Sequence, residues 1–209
     1  MALSQNPMTG KMSGTVGNFV TSSLGSQNIV RAKAFMTRDA KTEAQLKQRD
    51  GFKMIADLYT TLGGFPAEGF TQRSENTSAY AAFMAKNLSE AIDKSGATAV
   101  LDYTKVQVSD GSLQLPTVKE ATLTVAGIVL KYLPKIKMLN NNADDEIVAL
   151  ALLKSGEVWL ERQPRGESPE ATLTLEVTDI TIADIKAVYV FAKRADGSKT
   201  SKSVYVPIV

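Results

Sequence analysis

Near residue 97 the apolar residues change their spacing from helical to alternating, and this switch limits the folds open to the chain. Before it, Thr42-Glu43-Ala44-Gln45 fits a capping box, and Leu46, Phe52, Ile55, Ala56, Tyr59 and Leu62 follow on one predicted helical face. Gly63-Gly64 ends that helix, since glycine takes a left-handed cap without strain. A loop over 65–75 leads to a second predicted helix over 77–94, carrying Tyr80, Phe83, Met84, Leu88, Ala91 and Ile92 at spacings of three or four. Two amphipathic helices with a short connection predict an antiparallel pair.

After the switch, Ala99–Val108, Ser112–Leu115, Ala121–Leu133, Glu146–Leu153, Glu157–Arg162, Ala171–Val177, Ile185–Lys193 and Lys202–Ile208 read as strands. Asp110-Gly111 and Asp196-Gly197 read as hairpin turns, because Asp-Gly accommodates the positive φ that tight hairpins need. The expected class is α+β. An extended docking arm (1–28) precedes a helical pair with a short strand (29–96) and an antiparallel β-sandwich of immunoglobulin or fibronectin III type (97–209).

The arm is rich in Gly, Ser, Thr and Asn, a composition that builds no core of its own. Met8, Met12, Val16, Phe19, Val20 and Leu24 punctuate it, so it is expected to lay these residues on another molecule. No apolar stretch is long enough to span a bilayer, the longest being Ile147 to Leu153. The start MALSQNPMTGKMSGTVGNF lacks an apolar core behind a basic end, so secretory export is not expected.

Histidine and cysteine are absent from all 209 residues. The commonest general base, the best thiol nucleophile and the usual transition-metal ligands go with them. TGKMSGTVG is no phosphate loop, since Lys11 comes early and Met12 stands where Ser or Thr should coordinate magnesium. Asn140 to Glu146 gathers oxygen ligands without the spacing or central glycine of a calcium loop. Glu157 and Glu161 flank the single tryptophan, Trp159, on a predicted strand. Two carboxylates invite a glycosidase reading, but no cleft accompanies them. Trp159 itself is either core, as is common in sandwiches, or an exposed anchor for a glycan or a protein. Arg31, Lys33, Arg38, Lys41, Lys47, Arg49 and Lys53 form a basic segment. It lacks the aromatic platform of a nucleic-acid site and fits a solvated face or an acidic neighbouring subunit better. Neither catalytic residues nor cofactor nor metal ligands are expected.

GKMSGTVGNFV, IVRAKAF and TEAQLKQRDGFKMIADLY resemble an uncharacterised family of Bacteroidota and their phages, through Ser13, Gly14, Gly17, Arg31, Gln45, Arg49 and Phe52. The resemblance covers the first 90 residues or so and, more loosely, the terminal hairpin. It implies a bacterial or phage setting and no activity. The resulting expectation is a non-enzymatic structural component of a virion or similar assembly. Its partners would be copies of itself or other assembly proteins, without membrane or nucleic acid. A glycan- or protein-binding module of a bacterial cell surface is the alternative. The candidate interface residues are Met8, Met12, Val16, Phe19, Val20, Leu24, Arg31, Arg49 and Trp159.

Overall fold

The computed structural model describes residues 2–4, 11–25, 27–35, 41–134, 141–177 and 180–208. Met8, Arg38, Asp39 and Asn140 lie outside them. The chain divides into two compact units, residues 1–42 and 43–209.

The first unit is a four-stranded antiparallel sheet. Its strands are β1 (Ala2–Ser4), β2 (Gly14–Val16), β3 (Phe19–Leu24) and β4 (Gln27–Ala32), in the order β1-β4-β3-β2. Residues 14–32 therefore fold back on themselves instead of running as one extended arm. The cause is two two-residue turns, each led by a glycine at positive φ: Gly17 at 57° and Gly25 at 62°. A first-position glycine lets a tight turn match the twist of its strands. The short strand expected ahead of the helices is β4, which begins at Gln27 and pairs with β3 and β1.

The second unit opens with α1 (Glu43–Thr61), α2 (Phe65–Gly69) and α3 (Ala79–Glu90). Ser78 caps α3 by accepting a hydrogen bond from the Ala81 amide at 3.1 Å. The short pair β5 (Ile92–Asp93) and β6 (Val100–Leu101) follows. Then come β7 (Thr117–Thr124), β8 (Gly127–Leu133), β9 (Glu146–Leu153), β10 (Val158–Pro164), β11 (Ala171–Leu175), β12 (Ile185–Lys193) and β13 (Val204–Tyr205). They form two antiparallel sheets, ordered β10-β9-β12-β13 and β11-β8-β7. The fold is α+β, mostly antiparallel sheet.

The four-stranded sheet lies between two apolar layers. Along β9, Val148, Leu150 and Leu152 pack with Ile55, Leu58 and Phe83 of the helices. The alternate residues Ile147, Ala149, Ala151 and Leu153 pack with Ile128, Leu130 and Leu173 of the second sheet. β12 does the same, sending Tyr189 and Phe191 one way and Val188 and Val190 the other. A strand buried on both faces reads as a continuous apolar run, which accounts for EIVALALL.

Several expectations differ from this architecture. The stretch Ala121–Leu133 is a hairpin, turning at Val125-Ala126 because Gly127 holds φ at 123°. A Cβ on Gly127 would collide with the carbonyl of Leu175, so the turn must have glycine there. Between Asp102 and Pro116 the chain is irregular, and Asp110-Gly111 makes no hairpin. Side-chain hydroxyls satisfy the backbone there: Ser203 accepts from the Val108 amide at 2.9 Å, and Ser109 donates to the Gly69 and Ser201 carbonyls at 3.0 and 2.6 Å. On α1 the buried stripe is Gly51, Ile55 and Leu58, continued by Leu62 just past its end, while Leu46 and Phe52 are 43% and 46% exposed. Gly51 lets Ile92 approach closely, which turns the stripe away from Phe52.

Leu150 is fully buried and Val125 fully exposed. Leu150→Ala is therefore expected to cost about 2–5 kcal/mol. Val125→Ala should stay within about 0.5 kcal/mol. Denaturant unfolding of both variants measures the difference.

Candidate functional site

Three features hold the residues from which chemistry or binding can come. The most buried is a polar knot at one end of the sandwich. Arg165 follows β10 and is wholly buried. It donates to the carbonyls of Pro134 at 2.8 Å and Gln114 at 2.7 Å, and its Nε stands 3.7 Å from Oδ2 of the buried Asp145. Asp145 also accepts from the Asn142 amide at 2.9 Å and from Arg194 Nε at 3.4 Å. One guanidinium thus fastens the segments before β7, after β8, before β9 and after β10. Burial holds the Arg165 pKa below its ordinary value, with the Asp145 carboxylate opposing that shift. Burial likewise raises the Tyr132 hydroxyl, which finds no hydrogen-bond partner among the described residues. Asp145 is committed to these bonds, and among the described residues no three acidic side chains converge to hold a metal.

A cavity of about 460 Å³ lies between α1, β6 and the ends of β9 and β12, lined by Met54, Leu58, Leu101, Tyr103 and Leu152. Asp57 and Lys186 stand at its edge. A bulge between Ile185 and Ala187 makes Lys186 the extra residue of its strand, and its ammonium sits 4.6 Å from the centre of the Tyr103 ring. The polar residues of its lining are Asp57, Thr61, Tyr103 and Lys186, and the Thr61 hydroxyl donates to the Asp57 carbonyl at 3.0 Å.

The third feature is the outer edge of the four-stranded sheet. In β10, Val158 and Leu160 pack toward the helices. Trp159 is 41% exposed, with Glu157 and Glu161 exposed beside it. Of the two placements open to Trp159, core and surface, the structure has the surface one. The physical reason is that β10 is an edge strand, so the face opposite Val158 and Leu160 extends past the cover of the second sheet. Neither glutamate pairs with a cation among the described residues. Arg162 turns to the helical side and bonds Glu68 at 3.0 Å. Burial works to raise the Glu68 pKa, but hydrogen bonds from Lys193 and Arg162 outweigh it and hold the carboxyl below its usual value.

The remaining sequence candidates fall in two places. Val16, Phe19 and Leu24 are 65%, 57% and 51% exposed on the first sheet, and Val20 is half-buried. Val16 and Phe19 are direct cross-strand partners, so their side chains share a face. Met12 is half-buried; its amide donates to Asn28 Oδ1 at 3.1 Å and its carbonyl accepts from Ser23 at 3.0 Å. Arg31 lies exposed on β4 and Arg49 exposed on α1. Sequence reasoning missed Arg165, Asp145 and Lys186. Single charged residues at strand ends carry no periodic signal, and a bulge leaves none.

Residues 11–207 match a family described as a family of unknown function (DUF6266), and the chain belongs to it. The match runs through both sheets of the sandwich, well beyond the first 90 residues. The chain matches no curated protein and no solved structure. Among the described residues no helix is long and apolar enough to cross a membrane.

Removing Arg165 would leave the buried Asp145 carboxylate with the Asn142 amide and one long cation contact, to Arg194. Arg165→Ala is expected to destabilise the protein by about 3–5 kcal/mol. Paired replacement of Arg165 and Asp145 by apolar residues should recover part of that loss in thermal unfolding.

Proposed function

We propose that the chain is a non-enzymatic structural component of a multi-subunit assembly, of the kind that builds a phage particle, and that residues 1–42 dock it onto a neighbouring subunit. One observation carries this reading. In the first unit the only buried side chains among the described residues are Thr21 and Asn28, while Val16, Phe19, Leu24 and Phe35 lie open. A sheet gains stability by covering a face, and a piece of some 40 residues rarely folds without a staple or a partner. No cysteine is present to supply the staple. The lack of histidine and cysteine weighs against catalysis, and the resemblance to phage-associated sequences supports a virion location.

The sandwich supports the same reading at the level of fold. One sheet holds β7, β8 and β11; the other holds β9, β10, β12 and β13, in the order β10-β9-β12-β13. We read this pair of antiparallel sheets as a fibronectin III-like sandwich, a type used widely for display and adhesion.

The test compares the full chain with one beginning at Glu43, in the native host. The full chain is expected to sediment with high-mass particles. The shortened chain, which keeps every buried apolar side chain of the described structure, should unfold cooperatively but remain at low mass. Particle association without residues 1–42 would refute the reading.

The second reading is a glycan- or protein-binding module of a cell surface, favoured by the exposed Trp159 between two carboxylates. It expects binding on a glycan array that falls at least about tenfold in Trp159→Ala. A blank array, or signal indifferent to that substitution, removes the glycan form of this reading.

A further inference from the structure

The charges of this chain are segregated. Residues 1–42 carry five lysines and arginines against one aspartate, and residues 43–209 carry 19 against 21. Within the second unit, residues 143–184 hold ten carboxylates against three cations. That stretch contains β9, β10 and β11. β10 and β11 are edge strands of different sheets, and they approach each other along one side of the sandwich. There Glu157, Trp159 and Glu161 present a tryptophan between two exposed carboxylates without ion pairs among the described residues. The first sheet offers the complement. Arg31 and Lys33 are exposed and make no ion pair among the described residues, and the open Leu24 shares the face of Arg31, while Val16 and Phe19 lie on the opposite face.

We infer that the N-terminal sheet of one copy docks on the β10 face of a second copy, so that the protein assembles head to tail through basic and apolar residues on one side and Glu157, Trp159 and Glu161 on the other. The inference rests on the docking reading above and names the partner. Charge complementarity selects a second copy: each surface lacks what the other has, and both lie on the same chain. Two unlike patches that meet make a heterologous contact, which repeats into a ring or a filament and does not stop at a two-fold dimer. Trp159 against Leu24, which shares the face of Arg31, supplies the desolvated centre of the contact, and the charges orient it.

Full-length purified chains test this by light scattering and native mass spectrometry. The wild type is expected to grow beyond a dimer with concentration, and to weaken as salt rises. Arg31→Glu with Lys33→Glu spoils the basic side, and Glu157→Lys with Glu161→Lys spoils the acidic side. Each double variant alone should need at least about a tenfold higher concentration to associate. Mixed together, each surface of one variant meets its charge complement on the other, so the mixture should regain growth with the two variants alternating. A chain with all four substitutions should regain growth, which also shows that the substituted surfaces remain folded. Undiminished self-association of the Glu157→Lys, Glu161→Lys variant would overturn the inference while leaving the docking reading intact, since it would place the contact elsewhere. A wild type that stays solitary in pure solution would overturn it too. Sedimentation of that same wild type with native particles would then mean a foreign partner, and its failure to sediment would sink both readings.

Discussion

The burial of β9 and β12 on both faces is the constraint on which the second unit depends. Each of these strands splits its side chains between a helical layer and a second sheet, so neither layer can be lost without exposing half of the strand. At roughly 25 cal/mol for each Å² of apolar surface removed from water, this double burial is the main source of stability available. It also dictates where specificity can reside. The central strands are spent on packing, and only edges, turns and loop ends remain free for recognition. β10 is such an edge, and Trp159 shows it: the strand places Val158 and Leu160 inward and has no second layer to cover the alternate position.

The parts legible in the sequence were those with a periodic or terminal signal. The glycine pair after α1, the run EIVALALL and the Asp196-Gly197 turn each had a local cause, and each element lies within a few residues of its expected place. The hairpin at Val125-Ala126 was hidden because its exposed turn residues are apolar, and Gly127 was the one mark of it. Irregular chain between Asp102 and Pro116 looked like strand because its Thr, Val and Leu residues are strand formers. Its backbone instead bonds to the hydroxyls of Thr200 and Ser203, and its Ser109 hydroxyl to the carbonyls of Gly69 and Ser201, a long-range arrangement that composition cannot show. Arg165 was illegible for a related reason. Its role comes from four segments meeting at one end of the sandwich, none of which announces an arginine.

The N-terminal segment reverses that pattern. Its composition correctly indicated a piece without a core, yet Gly17 and Gly25 also encoded turns that make it a sheet. A preformed sheet changes the physics of docking. An extended arm loses backbone freedom when it binds, about 1–2 kcal/mol for each residue fixed. Strands already paired with one another have met most of that cost within their own unit. What the described residues still lack is cover for Val16, Phe19, Leu24 and Phe35, and under the proposed docking a partner would supply part of it.

Charge segregation completes the argument by dividing the work between two kinds of interaction. Apolar contact at Leu24 and Trp159 has no sense of direction, and alone it would permit the first sheets of two chains to meet face to face. The excess of positive charge on the first unit opposes that pairing, because like charges brought together in a partly desolvated interface repel. The acidic stretch around β10 opposes its own self-pairing in the same way. A near-neutral chain built from two oppositely charged patches therefore disfavours symmetric contacts of either patch and favours the mixed one. The absence of large net charge thus conceals an instruction for polarity, and that instruction is what a repeating assembly needs from its subunit.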